Sequence, residues 1–348
     1  NKIRRVINHE RGKHMHKRLT RSFLLAASLT GGLMAQVALA ADKVTYQLDW
    51  LPGGDKSPVY VGVQEGFFEE EGLEVSIASG RGSTDAITKI ATGQADIGSA
   101  DIGSLMAAKA QDDSLPVKAV YSIFNQAPHA FFTLEKNGIT EMTDMDGKKV
   151  ATSPFTSSNA FLPLVLKENG MAEDAVSLTK ADPGALGPML MNGGTDAIIA
   201  WVTNIALFSD QAKATGNELV VLPWSDAGLE LYSSSVVASE RFLNERPEVA
   251  KRFMRAFDKS LKFTSENPRQ AAEALNSMVP EVDVDVATAQ IGDTMELVVN
   301  DVSERDGLGA LTEERVALTW DWVSQAEKLE SDALDPETII DRTLLEAL

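Results

Sequence analysis

Short alternating apolar runs take turns along this chain with longer stretches of helical period. Val44-Thr45-Tyr46-Gln47-Leu48 alternates with a period of two and predicts a strand. It runs into Asp49-Trp50-Leu51-Pro52-Gly53-Gly54, which has the composition of a loop. Ser57 is expected to cap a helix that carries Pro58 in its first position and stops near Gly66. Glu69-Glu70-Glu71-Gly72 then reads as a turn into a second strand, with Leu73, Val75 and Ile77 on one face. A flexible turn from Ser79 to Ser83 feeds a helix with Ala86, Ile87, Ile90 and Ala91 on one side; Gly93 ends it, and Asp96-Ile97-Gly98 begins a third strand.

This last unit recurs about one hundred residues later. Gly93-Gln94-Ala95-Asp96-Ile97 is echoed by Gly193-Gly194-Thr195-Asp196-Ala197-Ile198, each a helix stop, an acid and a strand that opens into a loop. Two similar halves follow, an α/β fold with loops gathered at the carboxyl ends of the strands, where open α/β sheets bind ligands. In the second half Lys148 to Ser153 reads as a strand, and Pro154-Phe155-Thr156-Ser157-Ser158-Asn159 leads into a helix with Phe161, Leu162, Val165 and Leu166 apolar. The hydroxyls of that loop suit an anion at a helix N-terminus and equally an ordinary N-cap. Near the C-terminus, Val249, Phe253, Phe257 and Leu261 form one helical stripe, and Val316, Trp320 and Val323 another.

The N-terminal region does not share this pattern. Met15 precedes His16-Lys17-Arg18 and Arg21, an apolar run extends from Phe23 to Val37, and Ala38-Leu39-Ala40 closes it. This is the form of a secretory signal peptide over 15–40, cut between Ala40 and Ala41. A membrane anchor needs about 20 unbroken apolar residues, and this run is shorter and interrupted by Ser28, Thr30, Gly31 and Gly32. Residues 1–14 are expected to be an upstream extension of the reading frame.

The 348 residues carry a formal net charge of −19, and the portion beyond Ala40 holds 24 basic against 50 acidic residues. Such a surface repels nucleic acid and anionic lipid, so neither is an expected partner. Cysteine is absent, which excludes thiol chemistry and lipid attachment through cysteine. His129 is the one histidine beyond Ala40. Any Ser-His-acid arrangement must use it, and no metal site rich in histidine is available.

Leu48-Asp49-Trp50-Leu51-Pro52, Val59-Tyr60-Val61-Gly62-Val63, Glu65-Gly66-Phe67-Phe68 and Glu71-Gly72-Leu73-Glu74-Val75 resemble the opening of a family of substrate-binding proteins, that for nitrate, taurine, sulfonates and thiamine-pyrimidine precursors. Gly93 to Gly98, Asp144 to Ala151, Asp196-Ala197-Ile198, Asn244 to Glu248, Glu266-Asn267-Pro268 and Gly307-Leu308-Gly309 continue the resemblance in order.

What it implies is a two-lobed periplasmic-binding-protein fold, type II-like, with the ligand cleft between lobes. Lobe 1 would span 43–126, lobe 2 127–231, and a crossover with C-terminal helices over 232–348 would pack back mainly on lobe 1. The implied function is the solute-binding component of an ABC importer, free in the periplasm, with a small-molecule ligand, a permease partner in the inner membrane and a monomeric state. Neither a cofactor nor a metal nor an enzymatic activity is expected. A periplasmic sensor that presents its ligand to a receptor is the alternative of another class.

Carried onto this sequence, the family's site falls on Asp49, Trp50 and Asp55 of the first loop, Arg81, Gly82 and Ser83 of the second, and Asp101 of the third. Asn125 sits at the crossover. The opposite lobe offers Phe155, Thr156, Ser157, Ser158, Asn159, Trp201 and Asn204, with Trp224 beside them. A flat pyrimidine-like heterocycle stacked on tryptophan and bonded through Asp49 or Asp101 is the preferred ligand, and a sulfonate or carboxylate paired with Arg81 the alternative. The yeast-type pyrimidine synthase of this family uses a cysteine-rich iron motif with histidine, which this chain lacks.

Overall fold

The computed structural model describes residues 40–348. The expected signal segment before Ala40 and the extension preceding it lie outside the described residues. Ten strands appear in the order β1 (Asp42–Gln47), β2 (Leu73–Ala78), β3 (Ile97–Asp101), β4 (Val117–Ser122), β5 (His129–Leu134), β6 (Lys149–Thr152), β7 (Ser177–Lys180), β8 (Ala197–Trp201), β9 (Leu219–Pro223) and β10 (Ser234–Ser239). They form two five-stranded sheets, β2-β1-β3-β10-β4 and β7-β6-β8-β5-β9. In the first, β10 runs antiparallel to both neighbours, and β5 does the same in the second. The chain builds four strands of the first sheet, crosses over after β4, completes the second, and returns through β10. This is the periplasmic-binding-protein architecture, with two lobes joined by two crossovers.

The internal repeat is a repeat of hydrogen bonding. Gly93 and Gly193 both take up a left-handed φ, 76° and 77°, which a residue without Cβ adopts at little cost. The acid that follows turns back on the neighbouring strand: Thr45 N donates to Asp96 Oδ2 at 2.9 Å, and Lys149 N donates to Asp196 Oδ2 at 2.8 Å. Each aspartate thus fixes where the central strand of its lobe begins, and therefore where its carboxyl end delivers a loop.

Two expectations need correction. Ser57 lies inside the helix Ser57–Gln64 rather than capping it, because a 3-10 turn, Gly54–Lys56, precedes it and makes Lys56 the N-cap. The segment expected to turn at Glu69 to Gly72 instead holds a helical turn, Phe67–Glu70, with only Gly72 supplying the positive φ. Burial of Phe68 explains the difference: its ring stacks 4.9 Å from Phe253, and winding one more turn places it there.

The C-terminal helices hold the lobes in place. On the helix Pro247–Glu266, Val249, Phe253, Phe257 and Leu261 are all buried, and Tyr46 of β1 stacks on Phe253 at 5.8 Å. The helix Val284–Met295 bridges the Gly54–Lys56 turn of the first lobe and the helix Ile205–Ala214 of the second. No helix among the described residues is long and apolar enough to cross a membrane.

Candidate functional site

The loop after β1 is fixed from below. Gln47 donates to the carbonyls of Leu48 at 2.8 Å and Ser79 at 2.9 Å, Asp49 N donates to Ser99 Oγ at 3.2 Å, and that hydroxyl donates to Asp49 Oδ1 at 3.1 Å. Beyond it, Gly54 N donates to Gln290 Oε1 at 2.9 Å. A Cβ at Gly54 would meet the Ala287 carbonyl oxygen at 2.3 Å, so only glycine lets the turn lie this close to the helix. The turn delivers Lys56 inward. Its ammonium stands 2.7 Å from Asp49 Oδ1 and 2.9 Å from Asp55 Oδ2, and 5.3 Å from the ring centroid of Trp201 in the other lobe.

All three charged side chains are buried. Burial raises the pKa of Asp55, offset only in part by the Lys56 ammonium. Burial also works against the charge on Lys56, but Asp49 and Asp55 outweigh it and hold its pKa above the ordinary lysine range. The ammonium is therefore committed to its two carboxylates.

Next to this triad lies a small cavity between the lobes, of about 20 Å³. Asp49, Trp50, Asp55, Gly82 and Ser83 line it from the first lobe, and Thr156, Ala200, Trp201 and Asn204 from the second. That volume holds about one water, so a larger solute fits here only when the lobes part. Two polar atoms of residues that line it, Asp49 Oδ2 and Trp201 Nε1, are buried with no hydrogen-bond partner. Such groups cost about 1–3 kcal/mol each when left unmet, and they mark where a bound molecule gains most.

The seam is closed by short polar contacts. Ser153 Oγ donates to the Arg81 carbonyl at 2.7 Å, and Thr84 donates to the Phe155 carbonyl through both its N and its Oγ1, each at 3.2 Å. The remaining residues anticipated from sequence fall outside the cavity. The Arg81 side chain is half exposed, pairs with Asp85 at 3.1 Å and lies over the Phe155 ring. Asn159 is occupied locally, accepting from Thr152 Oγ1 and donating to the Ser153 carbonyl, each at 2.8 Å. Asn125 sits at the crossover, accepting from Asn300 Nδ2 at 2.7 Å. Trp224 is fully buried against His129 and Phe131 and belongs to the core.

Asp101, Ser157 and Ser158 gather in a second, solvent-free cluster around His129. Asp101 accepts from Gly103 N at 2.8 Å, Ser104 N at 3.3 Å and Ser233 Oγ at 2.6 Å. His129 Nδ1 lies 2.9 Å from Ser158 Oγ, and its unpartnered Nε2 lies 4.0 Å from Asp101 Oδ2. Ser157 Oγ is likewise buried without a partner.

Burial moves the two titrating groups of this cluster in opposite directions, Asp101 up to about 6 and His129 down to about 3. The raised carboxyl favours the folded state once protonated, so its contribution grows as pH falls through 6. The depressed imidazole costs stability as pH falls below its ordinary value near 6.5. Between pH 7 and pH 5 the two oppose. Replacing His129 by Gln is expected to gain about 1–2 kcal/mol relative to the wild type over that interval, and Asp101→Asn to lose stability over it. Urea unfolding at pH 7, 6 and 5 reads this directly, and parallel pH slopes for all three proteins would contradict it.

Lys56 is the one charge of this triad that sequence reasoning passed over. A lysine beside an acid in a loop looks like any exposed pair, and nothing in the pattern signals its burial.

The model of the NMT1/THI5-like family matches residues 54–271. A formylaminopyrimidine-binding protein of Halalkalibacterium halodurans is 26% identical over 68% of this chain and 70% of its own length. A 4-amino-5-hydroxymethyl-2-methylpyrimidine phosphate synthase of Saccharomyces cerevisiae is 23% identical over 72% of this chain and 76% of its own. Among solved structures, the alkanesulfonate-binding protein of Xanthomonas axonopodis pv. citri, bound to MOPS, superposes with a TM-score of 0.68 at 14% identity, covering 88% of this chain and 99% of that one.

Proposed function

Because the chain belongs to the NMT1/THI5-like family, we propose that it is the exported solute-binding component of an ABC importer, closing its lobes on a small, flat, uncharged nitrogen heterocycle. The observation that carries this reading is that two residues lining one cavity from opposite lobes hold an unmet acceptor, Asp49 Oδ2, and an unmet donor, Trp201 Nε1. A heterocycle with an exocyclic amine and a ring nitrogen offers the complementary donor and acceptor, and its face suits the indole of Trp50. Contacts from both lobes stabilise the closed state, which is the state a permease in the inner membrane would recognise.

Charge speaks against an anionic ligand. Asp49 and Asp55 face the cavity with one ammonium behind them, which leaves the wall no free cation, and the Arg81 guanidinium is paired at the surface. Catalysis is disfavoured on the residues themselves. Ser158 lies beside His129, but His129 Nε2 makes no hydrogen bond to Asp101, all three are buried, and an imidazole with a pKa of about 3 is a weak base at neutral pH.

Titration calorimetry of the purified protein tests the ligand class. 4-Amino-5-hydroxymethyl-2-methylpyrimidine, the heterocycle within the yeast relative's name, is expected to bind and taurine to give no heat. Arg81→Ala is expected to leave the pyrimidine affinity essentially unchanged. Binding of taurine that disappears in Arg81→Ala would overturn the reading in favour of the anion.

A further inference from the structure

Lys56 has three N–H donors, and the cleft uses all of its directions. Two face Asp49 and Asp55, and the ammonium also lies within cation–π range of the Trp201 ring. Two carboxylates and an indole face are the groups with which a binding site recognises a flat organic cation. Here the chain supplies the cation itself.

Its place is fixed. The Gly54–Lys56 turn is bonded to Gln290 and packed against the Ala287 carbonyl with no room for a Cβ, and Ser57–Gln64 begins its helix directly after. The backbone under Lys56 is therefore fixed, and its ammonium is tied to both carboxylates. Stability alone does not explain the triad, since buried ion pairs are commonly no better than apolar side chains of the same size. Asp49 and Asp55 stand in the cavity wall, with Lys56 bonded directly behind them.

We infer that Lys56 determines specificity: its ammonium fills the cation position of the cleft, so that the site admits neutral hydrogen-bonding heterocycles and turns away cationic ones. The inference rests on the reading of this cleft as the ligand site. Asp49 divides the work between its oxygens, with Oδ1 held by Lys56 and Ser99 and Oδ2 left for the ligand. Removing the ammonium leaves two carboxylates and an indole face around an empty position, a receptor for a flat cation.

Benzamidine, flat and permanently cationic at neutral pH, is the probe. Calorimetry is expected to show no binding to the wild type or to Lys56→Arg, and at least a tenfold gain in benzamidine affinity for Lys56→Met. Lys56→Gln, which keeps a polar side chain without the charge, is expected to gain in the same direction and serves in its place should Lys56→Met melt below the titration temperature. Wild type binding benzamidine as tightly as the uncharged variants would overturn the inference, as would folded Met and Gln variants that gain nothing. Titration of the same proteins with the neutral aminopyrimidine separates the two claims. A wild type that ignores the pyrimidine counts against the proposed ligand class, whereas the benzamidine comparison judges Lys56 alone.

Discussion

Replacing Gly82 by alanine is expected to hold the lobes apart and to weaken ligand binding about 100-fold, while leaving each lobe folded. Gly82 lies where the two lobes touch, and a Cβ built on it would fall 2.2 Å from both the carbonyl carbon and the oxygen of Phe155. Those are backbone atoms, tied in turn to Thr84, so no rotamer change relieves the clash. Its φ of 149° adds to this, because with ψ near 160° the backbone occupies a region that residues with a Cβ rarely enter. Overpacking of this kind costs about 1–3 kcal/mol, and the upper end corresponds to about 100-fold in affinity when closure is required for tight binding. Small-angle scattering with saturating ligand should show the wild type compact and Gly82→Ala extended. A variant that compacts and binds like the wild type would place the closure contact elsewhere.

Trp201→Ala is expected to weaken binding by about 1–3 kcal/mol and to lower stability by about 3 kcal/mol as well. The double effect follows from where the ring sits. It is only 9% exposed, meets Phe124 at 5.8 Å and His129 at 6.1 Å, and lies under the Lys56 ammonium, yet it turns Nε1 to no partner. It is thus a core residue on one side and a cavity wall on the other. Trp201→Phe separates the roles, since it keeps most of the packing and removes the donor. It should retain most of the stability and lose about 1 kcal/mol of binding, the value of one hydrogen bond. Calorimetry paired with urea unfolding distinguishes these terms, and an alanine variant that binds at full strength would remove Trp201 from the site.

The two-lobed fold was legible because its signals are local and repeated. Strand periodicity around Val44 and Leu73, the glycine stops at 93 and 193 and the acids that follow them are set by backbone conformation and hydrogen bonding within a few residues. The family resemblance implied a site at Asp49, Trp50, Gly82, Ser83, Thr156 and Trp201, and these residues line one cavity. What was not legible depends on direction rather than position. Arg81 and Lys56 lie in similar polar loops, but a four-residue spacing to Asp85 lets Arg81 satisfy itself at the surface, while the Gly54 contact turns Lys56 inward. Asp101 and Ser158 were expected in the cleft; their approach to His129 depends on how the two crossovers dock, which no segment encodes alone.

Native mass spectrometry of the protein purified without added ligand, compared with Trp201→Ala prepared in the same way, tests most directly whether the cleft captures such a solute. The wild type is expected to carry a noncovalent adduct whose released mass and fragmentation identify an uncharged nitrogen heterocycle, and the variant to have lost it. A sulfonate or carboxylate in the adduct, or an adduct retained equally by Trp201→Ala, would contradict the account.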